Sequence, residues 1–144
     1  MRAYFEDYPE NSRSAILRAA ILVAYSDSTW HELEREQLEK VYRNVCVMLD
    51  ADLDDEILLR ELDKISTDVP EEIRGLGDDE EREAFWQTCL APIVSRDIQQ
   101  LTIAAALKLS GGDSEIGAAE VSALARMCKA WDVNVKDAQE IWND

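Results

Sequence analysis

An internal repeat constrains the fold of this chain more than any single segment does. Shifting the sequence by 86 residues without gaps overlays residues 16–45 on residues 102–131, with six identities in thirty pairs. About two identities are expected by chance at ordinary composition. The identical pairs are Ala19/Ala105, Ala20/Ala106, Asp27/Asp113, Ser28/Ser114, Glu34/Glu120 and Leu38/Leu124. Most of the other inward positions keep their apolar class, so we predict a duplicated helix–turn–helix unit whose copies bury their apolar faces together.

Apolar residues recur at spacings of three and four through most of the chain, which is typical of amphipathic helices. We expect Asp54 to cap one of these helices, Pro70 to begin a short one after a break at Val69, and Pro92 to interrupt or restart another. With 5 Gly and 3 Pro, the chain has few turn residues for a β-sandwich. The predicted helical segments are 12–27, 32–49, 54–65, 70–76, 78–90, 93–110, 117–131 and 136–142.

We therefore predict an all-α fold of about seven helices, in which two pseudo-repeated helical hairpins pack as a compact bundle. The 144 residues suit a single domain, spanning 1–144, with repeat halves at about 12–66 and 93–142. An apolar fraction of 47% is ordinary for a globular protein. A chain of this length buries roughly 68–70% of its unfolded surface, which is enough for a substantial core.

The formal charge of −16 limits the partners of this protein. Such a field repels phosphate backbones and anionic lipid surfaces, so we expect no nucleic-acid binding. It attracts hard cations or a basic protein patch. The simpler alternative is that the charge serves only to keep the protein soluble.

The three cysteines, Cys46, Cys89 and Cys128, stand far apart among apolar helical residues. Their spacing matches neither a zinc site nor a disulfide framework, and we expect buried free thiols in a reducing compartment. The N-terminal residues lack an apolar signal core, and the longest apolar run, residues 19–25, is too short to span a bilayer. These features predict a cytoplasmic protein with no direct membrane insertion.

Both repeats contain the turn Asp-Ser-x-apolar-x-x-x-Glu, at residues 27–34 and 113–120. This pattern resembles the TerB-like family of tellurite-resistance and related bacterial proteins, whose signature is an Ala-Asp-Gly-x-Ile-x-x-x-Glu turn that is usually present twice. Here Ser28 and Ser114 replace the Gly of that signature, and Trp30 takes the first apolar position. In addition, the Ala position holds serine in the first copy and glycine in the second. The resemblance implies an all-helical domain, an acidic metal-binding face, and a role in tellurite or chemical-stress response beside membrane-bound partners.

The repeated acids are the candidate metal ligands: Asp27, Glu34, Asp113 and Glu120. On a straight helix, residues seven apart lie about 10 Å apart, so Asp27 and Glu34 could share an ion only if the turn folds Asp27 back. Alternatively, pseudo-twofold packing could bring all four carboxylates together, and a divalent cation would relieve their repulsion. Oxygen-only ligation favours Ca²⁺, Mg²⁺ or Mn²⁺. The alternative is purely structural, since the two glutamates stand at the third helical position if the residues at 31 and 117 are N-caps.

Other candidate sites have simpler explanations. Residues 50–61 match five EF-hand positions, but Asp55 replaces the Gly that the loop requires, which favours an acidic turn between helices. We interpret His31 as a surface or capping residue and the acidic run 78–81 as a helix cap that could also dock a basic partner. The tryptophans fall at apolar helical positions and are expected in the core or an interface; they are Trp30, Trp86, Trp131 and Trp142.

The sequence shows no nucleophile–base pair and no cofactor motif, so we expect no catalytic residues. The expected function is a non-enzymatic, acidic helical module that resembles TerB and binds a divalent cation, a protein partner, or both. One alternative is an interaction module without metal, whose acidic face docks a basic protein. A second is a metal-assisted enzyme, since clustered carboxylates can support such chemistry.

Overall fold

A computed structural model describes residues 8–24, 33–49, 54–110 and 118–141. These residues form seven helices and no strand, which confirms the predicted all-α class. The helices are α1 (Arg13–Ala24), α2 (Leu33–Met48), α3 (Asp55–Arg74), α4 (Asp79–Leu90), α5 (Arg96–Ser110), α6 (Ala118–Trp131) and α7 (Val135–Ile141).

The central elements are α1 and α5, which pack more extensively against each other than any other pair. Both are rich in alanine, so their backbones can approach closely, and α1 is buried around most of its circumference. Helix α3 covers α1, and α7 covers α5. Helices α2 and α6 each contact both central helices, and α4 packs against α1. The main core is therefore arranged around two neighbouring central helices.

Burial follows the 86-residue offset closely in the central helices and in the helices that follow them. Residues 15–20 and their counterparts 101–106 are all buried. On the following helices, Leu38 and Leu124 are both buried, as are the residues three positions further along. This is the pattern that a duplicated helical pair produces.

The break predicted at Val69–Pro70 is wrong, because α3 continues through both residues to Arg74. Proline removes one helical hydrogen bond and crowds the preceding turn. Here both residues are buried, and they extend the apolar stripe of Leu58, Leu62 and Ile65 by about one further turn. We attribute the continuous helix to this packing, which the local preference of proline does not reveal.

The sequence also predicts that a helix begins at Ile93, whereas α5 begins at Arg96. The side chain of Asn11 explains the difference. Its Oδ1 accepts hydrogen bonds from the backbone N–H groups of Val94 (3.0 Å) and Ser95 (3.2 Å). The backbone N–H of Asn11 donates to the carbonyl of Pro92 (2.7 Å). Residues 92–95 are thus held in a turn by a side chain more than 80 residues away in the sequence.

A network of polar side chains ties α1, α2 and α3 together. The Arg13 guanidinium donates to both carboxylate oxygens of Glu61, at 2.8 and 3.1 Å, and the Tyr42 hydroxyl donates to the same carboxylate at 2.6 Å. Tyr42 is fully buried. Its pKa is raised by burial first and by the hydrogen bond to Glu61 second. The network therefore positions the outer helices relative to the central α1.

The thiols and one tryptophan lie where the sequence predicts. Cys46, Cys89 and Cys128 are buried free thiols, and burial raises the pKa of Cys89 to about 12. Trp86 is buried in the core, and Trp131 is partly buried and packs against the core. Among the described residues, no helix has the length and apolar character needed to cross a membrane.

Candidate functional site

Only two of the four predicted metal ligands belong to described helices. Asp27 and Asp113 lie outside the described residues. Glu34 is the second residue of α2 and Glu120 the third residue of α6, and the structure describes only their backbone. The four-carboxylate site therefore stays a prediction. Within the described part of the chain, no group of three or more His, Cys, Asp or Glu side chains could hold a metal ion.

A contact between the two repeats lies close to these acids in sequence. The side-chain amide of Gln37, on α2, donates to the backbone carbonyl of Lys108, near the end of α5, at 3.3 Å. Gln37 is three residues after Glu34, and Lys108 is five residues before Asp113. The beginning of α2 in one repeat therefore meets the end of α5 in the other. We call this arrangement the crossed contact.

The counterparts of these two residues also share one place in the fold. Offset by 86 residues, Lys108 corresponds to Leu22 on α1 and Gln37 to Ala123 on α6. Leu22 and Ala123 line the same cleft. The end of the first central helix and the beginning of α6 therefore face the same cleft.

This cleft has a volume of about 760 Å³ and is formed by α1, α3, α4 and α6. Its apolar lining comes from Leu22, Ile73, Leu76, Phe85, Trp86 and Ala123. Its polar lining comes from Arg74, Arg82, Ser122 and Arg126. The arginines approach from three different helices, so the cleft combines an apolar surface with a local positive charge in a strongly acidic chain. We call it the arginine cleft.

The Arg126 guanidinium lies over the Trp86 ring, 4.3 Å from its centroid, within the range of a cation–π contact. It also forms an ion pair with Glu83 and thereby lowers the pKa of that carboxyl. On α4, Arg82 pairs with Asp79 at 3.0 Å. Both acids are half to fully exposed. These pairs therefore lie at the solvent-facing rim of the arginine cleft.

The turn that joins α3 to α4 forms one wall of the cleft and is held by reciprocal capping. The Asp78 carboxylate accepts from the Glu81 N–H at 2.8 Å, and the Glu81 carboxylate accepts from the Gly77 N–H at 2.9 Å. The acidic run 78–81 therefore caps α4, as the sequence predicts. A Cβ at Gly77 would lie 2.9 Å from the Glu81 carboxylate, so any larger residue there would disturb this cap.

The remaining sequence candidates have different outcomes. Asp54 caps α3 as predicted, accepting from the Ile57 N–H at 3.2 Å. Because α3 begins at Asp55, the EF-hand pattern does not fit: its last seven positions are helical, and Glu61 is bound by Arg13. His31, Trp30 and Trp142 lie outside the described residues.

Sequence reasoning missed the arginine cleft, because its basic residues are dispersed over more than 50 positions and form no local motif. The repeat offers one signal of an apolar surface at this place: Leu22, which lines the cleft, stands where the other copy has the charged Lys108. The arginines themselves could be assigned to one place only from the packing of α3, α4 and α6.

Comparisons with known proteins add no assignment to this geometry. No protein-family model, no curated protein and no solved structure matches the chain.

Proposed function

We propose that this protein is a non-enzymatic module that binds a divalent cation through the carboxylates of its repeated turns, in a cytoplasmic role in tellurite or chemical-stress response like that implied by the resemblance to TerB. The crossed contact between Gln37 and Lys108 carries the proposal. It pairs the beginning of one repeat's second helix with the end of the other repeat's first helix. The candidate acids would then combine as Glu34 with Asp113 and Glu120 with Asp27.

Chain geometry supports the first of these combinations. Glu34 precedes Gln37 by three residues, which is about 4.5 Å along a helix axis. Asp113 follows the last residue of α5 by three residues, so their Cα atoms are at most about 10 Å apart. Two carboxylates from different repeats can therefore reach one ion without folding an aspartate back onto its own helix.

Electrostatics distinguish the two combinations. The arginine cleft lies beside the junction of α1 and α6 and brings three arginines there, two of them paired with acids. The crossed contact at the junction of α2 and α5 brings one basic residue, Lys108, so repulsion of a cation is weaker there. The junction of α2 and α5 is the better place for a positive ion, so we assign the cation to Glu34 and Asp113. Carboxylate ligation favours Ca²⁺, Mg²⁺ or Mn²⁺, and waters or backbone carbonyls would complete the coordination shell.

The test is a thermal melt of the metal-free protein with and without each of the three ions. A ligand at 100 times its Kd stabilises the folded state by about 2.7 kcal/mol, so an ion bound with a Kd near 50 μM gives a clear shift at 5 mM. Glu34→Gln and Asp113→Asn should each abolish the shift. Glu36→Gln, which removes an exposed acid from the same helix, should retain it. Melting temperatures unchanged by all three ions would refute the proposal.

A second candidate function is supported by the exposed acids in the first turns of α3 and α4. Asp54, Asp55 and Glu56 are exposed, as are Asp79 and Glu80. Two acidic helix ends of this kind could dock a basic protein, including a membrane-associated one, without any metal. Binding of an oligolysine peptide should then weaken strongly between 50 and 300 mM salt. It should weaken again in a variant with Asp55 and Glu56 replaced by lysine, and salt-independent binding would exclude this function.

A further inference from the structure

We infer that the arginine cleft binds a small amphiphilic anion, an organic molecule with an apolar body and one carboxylate or sulfonate group. This site is independent of the proposed cation site. It is built from α1, α3, α4 and α6, whereas the cation is assigned to the junction of α2 and α5.

The size and lining of the cleft suit a small molecule. Ligand sites are commonly clefts of about 300–1,000 Å³ with a mostly apolar lining and a few polar groups, and this cleft measures about 760 Å³. Leu22, Ile73 and Leu76 are partly exposed and present aliphatic surface from α1, α3 and the turn after α3. Phe85 and Trp86 also line the cleft, but they are 0% and 6% exposed and add little accessible surface. An alkyl chain or an aromatic ring is the complement of such a surface.

The charge of the lining selects an anion. Arg74 stands at the end of α3, Arg82 on α4 and Arg126 on α6, so three helices direct guanidinium groups to one cleft. The chain has only 15 basic residues against 31 acidic ones. At physiological ionic strength the Debye length is about 8 Å, so distant surface acids are largely screened. Asp79 and Glu83 lie within that distance, as the ion-pair partners of Arg82 and Arg126. A guanidinium also matches the two oxygens of a carboxylate.

The present partners of two arginines are weak competitors. In the Arg82–Asp79 pair the acid is fully exposed, and in the Arg126–Glu83 pair both side chains are about half exposed. Exposed pairs of this kind contribute about 0–1 kcal/mol. A ligand anion seated on an apolar surface would be less hydrated and could displace or share these contacts. The cation–π contact with Trp86 meanwhile keeps Arg126 at the cleft.

The binding experiment uses 8-anilinonaphthalene-1-sulfonate as a fluorescent probe, with the full-length protein in EDTA to remove any effect of metal. Decanoate should displace the probe, whereas decanol and decyltrimethylammonium should displace it at least tenfold less effectively. The double variant Arg82→Gln/Arg126→Gln should weaken decanoate binding by tenfold or more. Arg60→Gln removes an exposed arginine from an ion pair on α3, outside the cleft, and should leave binding unchanged.

A second readout guards against probe binding to a loosened fold. The indole N–H resonance of Trp86, assigned with Trp86→Phe, should shift on addition of decanoate in ¹H–¹⁵N spectra. It should shift far less in Arg82→Gln, which leaves the contact between Arg126 and the Trp86 ring in place. Equal displacement by decanoate and decyltrimethylammonium, or an unshifted Trp86 resonance, would overturn the inference.

Discussion

Replacing Glu61 by Gln tests whether the network of Arg13, Tyr42 and Glu61 stabilises the packing of three helices. The carboxylate accepts two hydrogen bonds from Arg13 and one from Tyr42. Glutamine has nearly the same shape, but it offers one acceptor oxygen and carries no charge. Its amide group would place N–H donors against the Arg13 guanidinium, so one of the two Arg13 bonds is lost.

The magnitude follows from how far the network is buried. The Arg13 side chain is 15% exposed and that of Glu61 is 32% exposed, between a surface pair and a core pair. Surface pairs contribute about 0–1 kcal/mol, and breaking a buried pair costs about 3–5 kcal/mol. We therefore expect Glu61→Gln to lower the free energy of unfolding by about 2 kcal/mol. In a chain of this size that corresponds to a fall in Tm of about 6–8 °C.

Urea unfolding monitored by circular dichroism at 222 nm measures this difference directly. The control is Glu56→Gln on the same helix, whose carboxylate pairs with Arg60 at the surface and is 83% exposed. That variant should lose less than about 0.5 kcal/mol. If the two variants were equally stable, the network would contribute no more than a surface ion pair, and our conclusion that Glu61 holds α3 against α1 and α2 would be refuted.

Three further predictions concern a turn, a thiol and an ion pair. Asn11→Ala should lower the free energy of unfolding by about 2 kcal/mol, because Asn11 has a positive φ of 54° and its side chain accepts from two N–H groups. Urea titrations measure this loss, and Asn11→Asp, which keeps the acceptor oxygen, should be nearly as stable as the native protein. Burial raises the pKa of the Cys89 thiol from 9.0 to about 12, so its contribution to stability is complete below pH 9 and is lost as the pH rises from 9 to 12. Cys89→Ala should therefore flatten the fall in the free energy of unfolding between pH 9 and 12. An unchanged slope in that variant would contradict the prediction. Because Arg126 lowers the pKa of Glu83, the contribution of that pair is present above the ordinary carboxyl pKa and is lost as the pH falls; in Arg126→Gln, NMR titration should return the Glu83 pKa to its ordinary range.

Helical periodicity predicted the class and nearly all helix positions, because burial of an apolar stripe decides most of this fold. The two errors have one origin. At Val69–Pro70, tertiary burial overrides the local preference of proline. Before Arg96, the side chain of Asn11 holds the chain in a turn from a distant part of the sequence. Neither effect is visible in a window of neighbouring residues.

The site was less accessible to sequence reasoning. The repeated acids were found because the duplication aligns them, but a repeat does not reveal which copies meet. The crossed contact shows that α2 of one repeat meets α5 of the other, and our proposed assignment of the acids rests on it. The arginine cleft has no sequence motif at all, since its charges become neighbours only when α3, α4 and α6 pack around the end of α1.

The crossed contact has a consequence for dissection of the protein. Each junction takes one helix end from the N-terminal half and one from the C-terminal half, and α1 and α5 are buried mainly against each other. A fragment cut between α3 and α4 would therefore hold half of each junction, and its central helix would lose the face that packs on the other half. Such a half could regain a complete junction only by associating with its complement or with a second copy of itself, so the proposed ion binding would become dependent on protein concentration.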